Sequence, residues 1–214
     1  MTLAVLVSGG LDSAILVGDA VRRGEAVQPL LIRCGLFWEA TEAEYLRLFL
    51  AAIAKPNLLP LVELEQPVGD LYGNHWSVTG VGVPSADDPD EDVFLPGRNV
   101  LLLAKSLLWC HLHRVERLAL GSLSTNPFPD ATLEFFQGFE RIVNAAVEGY
   151  AKIVLPFGEM KKHEVMRLGI GLPLEHTFSC IRPADGLHCG ACNKCQERKV
   201  AFADAGMQDP TRYR

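Results

Sequence analysis

Short apolar runs alternate with amphipathic stretches along most of the chain. Runs with the length and composition of buried strands occupy residues 3–7, 27–32, 58–64, 117–120 and 152–155. Helical periodicity occupies residues 11–23, 41–54, 100–113, 132–148, 161–168 and 193–205. Strands that alternate with helices pair in parallel through right-handed crossovers, with helices on both faces of the sheet. The pattern therefore predicts a doubly wound α/β fold with a mainly parallel sheet.

One stretch departs from this alternation. Residues 66–96 are rich in Gly, Pro and Asp, and they predict a long functional loop. Asn99 lies three residues after this stretch and is predicted to cap the next helix, because Asn side chains accept hydrogen bonds from the first free amides of a helix.

Length and charge limit the class of protein. A chain of 214 residues, 49% of them apolar, can bury one substantial core. No run approaches the roughly 18 apolar residues that cross a membrane. A net charge of −6 without clustered Lys or Arg argues against direct contact with nucleic acid. We expect a cytoplasmic protein that acts on a small molecule, away from membranes.

The turn after the first predicted strand has the composition of an anion site. It consists of Ser8, Gly9, Gly10, Leu11, Asp12 and Ser13. A glycine turn between a strand and a helix directs backbone N–H groups and the positive end of the helix dipole at one point. Asp12 would repel phosphate unless it caps amides or holds a magnesium ion. The spacing is neither that of the lysine-bearing nucleotide loop nor that of a dinucleotide-binding turn.

Four of the six cysteines lie close together near the C-terminus. Their positions are Cys180, Cys189, Cys192 and Cys195. The tight spacing of the last three suits tetrahedral coordination of one ion. Zinc is favoured over an iron–sulfur cluster or free thiols. Four sulfur ligands would leave zinc no open position, so its role would be structural. We predict a main domain of residues 1–172 and a small zinc-binding subdomain of residues 173–214.

The glycine turn also carries a family resemblance. Placed after the first strand, it resembles the pyrophosphate loop (PP-loop) of the ATP pyrophosphatase superfamily, which implies an adenine nucleotide α-hydrolase-like fold. Several further motifs resemble the 7-cyano-7-deazaguanine synthase family over nearly the whole chain. These are Pro96-Gly97-Arg98-Asn99, Phe128-Pro129-Asp130, Lys162-His163-Glu164 and Thr177-Phe178-Ser179-Cys180 with the remaining cysteines and Arg198.

The resemblance implies a reaction and its cofactors. A deazapurine acid, 7-carboxy-7-deazaguanine, would be adenylated by ATP and converted by ammonia to the nitrile through the amide. Esterification with AMP supplies the leaving group that a carboxylate lacks. ATP, Mg²⁺ and Zn²⁺ are the implied cofactors. A homodimer is implied too, and ammonia would come free or from a partner, since the chain has no length for a glutamine-hydrolysing domain.

The same resemblance assigns roles to individual residues. The six loop residues, Ser8 to Ser13, would bind the pyrophosphate of ATP. Catalysis would involve Asp12, Arg98 and Lys162, the last two as cations that meet negative charge on the transferring phosphate. Substrate contacts would come from Arg98, Asn99, Gly121, Phe128 and Asp130.

Two stretches depart from the family pattern. Cys34-Gly35-Leu36-Phe37-Trp38 replaces a usual Tyr-Gly-Gln-x-His, and Ala131-Thr132 replaces a usual Cys-Arg. These changes leave open an enzyme that stops at the amide, or that couples the acid to an amine on a protein or small molecule. Phe37 and Trp38 would suit an apolar partner group, although ordinary packing is the favoured interpretation. A non-catalytic nucleotide-binding module is the second alternative.

Overall fold

The chain folds around one five-stranded sheet in which every pairing is parallel. A computed structural model describes all residues from 1 to 214. The strands are β1 (Thr2–Val7), β2 (Ala26–Arg33), β3 (Val62–Glu65), β4 (Arg117–Ala119) and β5 (Lys152–Val154), in the order β3-β2-β1-β4-β5. The predicted doubly wound parallel sheet is confirmed. Its order reverses at β1, where ligands of such folds bind beyond the carboxyl ends of the strands.

Eight α-helices connect and cover the strands. They are α1 (Leu11–Arg22), α2 (Glu39–Ala52), α3 (Gly69–Tyr72), α4 (Trp76–Thr79), α5 (Arg98–Leu112), α6 (Leu133–Val147), α7 (Lys162–Leu168) and α8 (Asn193–Ala205). Single 3-10 turns occupy Asp90–Val93, Pro129–Ala131 and Leu174–His176. No helix combines the length and apolarity that a membrane span requires.

Alternating side chains of the strands point into two hydrophobic cores, one on each face of the sheet. Leu3, Val5 and Val7 of β1 pack with residues of α1, α2, α7 and α8 on one face. Ala4 points to the other face and packs with α5 and α6. Both faces are therefore buried, which explains why the strands are continuously apolar in sequence.

Several boundaries differ from the sequence prediction. The third strand begins at Val62 rather than residue 58, because Leu58 forms only an isolated bridge with Val27 and Pro60 cannot donate to a neighbouring strand. Residues 66–96 are not structureless, since they contain α3, α4, a 3-10 turn and the buried Val68 and Leu95. Their polar composition concealed these short packed elements.

Asn99 does not cap α5, so that prediction is wrong. The helix begins at Arg98, two residues earlier than predicted, and Gly97 takes the cap position with a left-handed φ of +76°. Asn99 instead contacts Asp130: its backbone N–H donates to Asp130 Oδ2 at 3.1 Å, and its side-chain amide donates to the Asp130 carbonyl at 2.9 Å. These bonds join the start of α5 to the segment that precedes α6.

Candidate active site at the sheet switch point

The glycine turn lies at the carboxyl end of β1, where the strand order reverses. Internal hydrogen bonds hold its shape: the Gly10 N–H donates to Ser8 Oγ, the Ser8 N–H donates to Ser13 Oγ, and Ser13 Oγ donates to the Gly10 carbonyl, each at 3.3 Å. The serine hydroxyls thus order the loop before any ligand binds. Helix α1 starts at Leu11, so its free amides face the same point.

Gly9 is required by both its conformation and its surroundings. Its φ is +92°, and a Cβ there would lie 2.8 Å from the Glu42 carbonyl oxygen of α2. Gly10 has no such restriction, because its nearest neighbour would be Ser8 Oγ at 3.4 Å. The first glycine therefore allows α2 to pack against the loop.

Asp12 is paired with a cation. Lys162 Nζ lies 2.8 Å from each carboxylate oxygen of Asp12, and 3.7 Å from Glu197 Oε1. Burial disfavours the Lys162 charge, but the carboxylates of Asp12 and Glu197 outweigh it and raise the pKa of Lys162. The ammonium is thus charged at neutral pH and held at the mouth of the loop. The ion pair with Lys162 explains how the acidic Asp12 can lie in an anion site.

Arg98 reaches the same site from the opposite face of the sheet. It is the first residue of α5, where the helix dipole disfavours a cation. Its Nε is buried without a hydrogen-bond partner. An unpaired buried donor is costly, so a bound anion would restore the missing hydrogen bond. Arg98 therefore has the properties of an anion-binding residue.

Two adjoining cavities open beside these residues. The first, of about 260 Å³, is lined by most of the glycine loop together with Trp38, Glu42, Arg98, Lys162, Phe178, Ser179, Ile181, Lys194, Glu197 and Arg198. The second, of about 220 Å³, is more apolar and lies over the ends of β1, β2 and β4. We call them the first cavity and the second cavity.

The structure brings most of the predicted site residues together. Ser8, Gly10, Leu11, Asp12, Ser13, Arg98 and Lys162 line the first cavity, and Asn99 and Gly121 line the second. Phe128 lies in a third cavity that also contacts Asp12 and Lys162. Asp130 is buried and engaged with Asn99, whereas Gly9 faces α2. Asp130 and Gly9 are therefore engaged by other parts of the protein and do not line these three cavities.

The four C-terminal cysteines form a compact cluster. Their sulfur atoms all lie within 4.8 Å of one another, with 3.8 Å between Cys180 and Cys192 and 4.0 Å between Cys189 and Cys195. Zinc–sulfur bonds of about 2.3 Å in a tetrahedron separate sulfurs by about 3.8 Å. Backbone N–H groups of Arg182 and Cys189 donate to Cys180 Sγ at 3.3 Å and would stabilise a thiolate. The cluster could hold a zinc ion.

The cysteine segment also forms one wall of the first cavity. The Phe178 N–H donates to the Gly9 carbonyl at 2.9 Å, so the residues just before Cys180 are attached to the glycine loop. Arg198 of α8 is 1% exposed and donates to Ser179 Oγ at 3.2 Å and to Thr177 Oγ1 at 2.9 Å. The cysteine cluster and the glycine loop are therefore neighbours.

The altered corner after β2 mostly packs inside the protein. Trp38 is 5% exposed, with its ring centroid 5.8 Å from that of Trp76, and it also lines the first cavity. Phe37 is 44% exposed and lies against Gly80, where a Cβ would be 2.6 Å from its ring. Packing against Trp76 explains the apolar side chain at position 38, and the same packing places the Trp38 ring at the wall of the first cavity.

Sequence reasoning missed three charged residues of the site. Glu42 comes from α2, whereas Lys194 and Glu197 come from α8. Lys194 and Glu197 occupy variable positions of the cysteine motif, and each of the three residues lies on a helix with many other charges. Only Glu42 carried a usable signal, since an acidic residue among Ala43 and Leu46 lies on the apolar side of its helix.

Comparisons with known proteins agree with this architecture. A sequence model of the family described as "Queuosine biosynthesis protein QueC" matches residues 2–206. A 7-cyano-7-deazaguanine synthase of Thiobacillus denitrificans is 31% identical over 220 residues, covering 98% of this chain and 96% of the relative. The synthases of Desulfatibacillum aliphaticivorans and Stutzerimonas stutzeri are each 32% identical, covering 98% of this chain and 95% and 96% of their own lengths.

Solved structures share the fold at low identity. A predicted subunit of tRNA methyltransferase from Methanocaldococcus jannaschii has a TM-score of 0.53 at 14% identity, covering 79% of this chain and 74% of that one. A 4-thiouridine synthetase in complex with RNA and bound ATP has a TM-score of 0.50 at 12% identity, covering 96% and 50%. At such identities the likeness concerns the fold alone.

Proposed function

Because the chain belongs to the queuosine biosynthesis protein QueC family, we propose that it converts 7-carboxy-7-deazaguanine, ATP and ammonia into 7-cyano-7-deazaguanine. The observation that carries the proposal is the convergence of the glycine loop, Arg98 and Lys162 on one cavity. An anion cradle with two cations supports adenylation of a carboxylate, since negative charge grows on the transferring phosphate.

The two cavities suit the two substrates. The second cavity has apolar walls from Ile32, Leu102 and Leu120 at the strand ends, as an adenosine requires. The first cavity holds the cations and an aromatic wall from Trp38 and Phe178, as a planar acid requires. We assign ATP to the second cavity with its phosphates at the loop, and the deazapurine acid to the first.

The chain's own residues would perform the remaining work. Arg98 would donate its free Nε to an oxygen of the acid or of the α-phosphate. Lys162 would exchange its contact with Asp12 for one with phosphate. Mg²⁺ would enter with ATP and neutralise phosphate charge, and zinc held by the four cysteines would stabilise the cavity wall.

A mass measurement tests the proposal. Purified protein is mixed with 7-carboxy-7-deazaguanine, ATP, Mg²⁺ and ammonium, and the acid, amide and nitrile are quantified with AMP and pyrophosphate. The nitrile should accumulate with acid-dependent release of AMP and pyrophosphate. Binding of ATP without turnover would favour a nucleotide-binding module.

One observation keeps a second product possible. Trp38 lines the first cavity where the family usually carries a polar side chain. An enzyme with this apolar wall could stop at the amide or accept an amine other than ammonia. The same experiment separates these outcomes, because an accumulating amide or a heavier conjugate replaces the nitrile mass.

A further inference from the structure

The two cavities share one wall. Five residues line both of them: Ser8, Asp12, Ser13, Glu42 and Arg98. If ATP and the acid occupy separate cavities, their reacting atoms meet at this shared wall. Charged side chains here are therefore the ones placed to contact the reacting groups. Only three of the five are ionisable, namely Asp12, Glu42 and Arg98.

Glu42 is the ionisable residue of this wall that has no assigned role. Asp12 is paired with Lys162, and Arg98 is suited to an anion. Glu42 is only 9% exposed and forms no ion pair. Its neighbour on the same helix, Glu39, is fully engaged: it accepts from the backbone N–H groups of Cys34 and Gly35 and pairs with Arg33 at 3.2 Å.

A buried carboxylate that forms no ion pair is unfavourable in a site built for two anions. Burial raises the pKa of Glu42 to about 8; Arg98 and the Trp38 indole oppose this shift, whereas Glu39 adds to it. The other ionisable groups that face Glu42 or its two cavities are Asp12, Cys34, Lys162, Lys194, Glu197 and Arg198. With this pKa the carboxyl group is largely protonated at neutral pH in the free protein, and a cation bound beside it favours the carboxylate form that can accept a proton.

The one cationic reactant is ammonium. We infer that Glu42 is a catalytic residue that binds the incoming ammonium at the wall shared by the two cavities and removes its proton. This inference rests on the proposed adenylation of the acid. It adds the group that turns ammonium, which has no free electron pair, into the nucleophile ammonia.

The step balances in atoms and charge. One N–H bond of ammonium breaks, and its proton passes to a Glu42 carboxylate oxygen. The freed electron pair forms a C–N bond with the acyl-adenylate carbonyl carbon, and the C–O bond to AMP breaks with its electrons going to AMP. The new amide nitrogen loses a second proton to water, leaving the primary amide.

The substitution Glu42→Gln tests the inference, because it keeps size and removes the base. Acid-dependent exchange of pyrophosphate into ATP reports adenylation without ammonia, and amide formation reports the second step. We expect the ammonium-dependent rate to fall by about 100-fold or more, with exchange far less affected. Glu42→Asp should retain part of the rate. Glu44→Gln, at an exposed position of the same helix, is the matched control.

A second nucleophile distinguishes base catalysis from a structural role. Hydroxylamine is neutral at neutral pH and needs no base to attack the acyl-adenylate. Glu42→Gln should therefore form the hydroxamate as fast as the unchanged protein. With ammonium, its rate should follow the concentration of free ammonia as pH rises.

Contrary outcomes are distinct. Equal losses with hydroxylamine and ammonium would overturn the inference, and so would a loss of exchange that extra Mg²⁺ restores, which would make Glu42 a metal ligand. No loss with ammonium would overturn it as well. If the unchanged protein shows no exchange with 7-carboxy-7-deazaguanine, the proposed function fails, and the inference fails with it.

Discussion

Single residues at the glycine loop serve different purposes despite similar chemistry. Gly9 has a left-handed backbone and lies against the Glu42 carbonyl, whereas Gly10 has an ordinary φ of −70° as the N-cap of α1. The first glycine fixes how α2 approaches the loop, which in turn sets the position of the Glu42 side chain. The second leaves the amides at the start of α1 accessible.

Alanine substitutions should separate these two roles. Gly9→Ala should lower the free energy of unfolding by about 2–4 kcal/mol, because the methyl group meets the Glu42 carbonyl in a strained backbone. Gly10→Ala should cost less than about 1 kcal/mol. Urea denaturation of both variants measures the difference, and equal losses would contradict this account of Gly9.

At the scale of elements, the buried side chain of Arg198 links α8 to the segments around the site. Arg198 donates to Thr177, Ser179 and the Leu174 carbonyl, and its Nε donates to Thr211 of the C-terminal tail. Asp209 lies 3.9 Å from it and offsets the buried charge. Because these partners come from two separate segments, residues 174–179 and the C-terminal tail, α8 fixes the cavity wall before any substrate enters.

Replacing Arg198 should remove the hydrogen bonds that join the cavity wall at residues 174–179 to α8. Arg198→Met fills similar space but leaves several buried acceptors unpaired, so we expect a loss of about 3 kcal/mol in unfolding free energy. Gln196→Met, at an exposed position of the same helix, should change stability little. Thermal and urea unfolding provide the comparison, and similar stabilities for the two variants would contradict it.

At the scale of the whole molecule, the cysteine cluster joins the C-terminal segment to the sheet. Cys180, Cys192 and Cys195 belong to a hydrophobic cluster that also contains Trp38 and Phe178, the aromatic residues of the first cavity. A chain of net charge −6 therefore gathers four cations, at Arg98, Lys162, Lys194 and Arg198, around one cavity. Asp12, Glu42 and Glu197 line the same cavity, and Lys162, Lys194 and Arg198 are engaged in ion pairs, so Arg98 is the cation left to attract an anionic substrate.

Loss of the metal should affect both stability and activity. Zinc analysis should find one ion per chain, and Cys192→Ser should lose it with a fall in melting temperature of at least about 5 °C. A strong chelator should lower the melting temperature of the unchanged protein but not of the variant. The Cys110→Ala variant, which is changed in the core that packs with α5 and α6, should keep its zinc. An unchanged metal content in Cys192→Ser would exclude this cluster as the zinc site.

Much of the architecture was predictable because it depends on local patterns. Apolar runs separated by helical periods require a parallel sheet, and the glycine turn after β1 must lie at its carboxyl edge. The spacing of the cysteines likewise predicted that their sulfurs could converge. The short helices within residues 66–96 could not be predicted, since their burial depends on contacts with distant segments.

The sequence by itself determined the sheet, the position of the glycine loop and the four-sulfur cluster, because each follows from residues close together in the chain. Only the tertiary structure decided which charges meet at the loop. Lys162 pairs with Asp12 across 150 positions, and Glu42 reaches the shared wall only because α2 packs on Gly9. Such pairings depend on how whole helices pack, and no local pattern encodes that geometry.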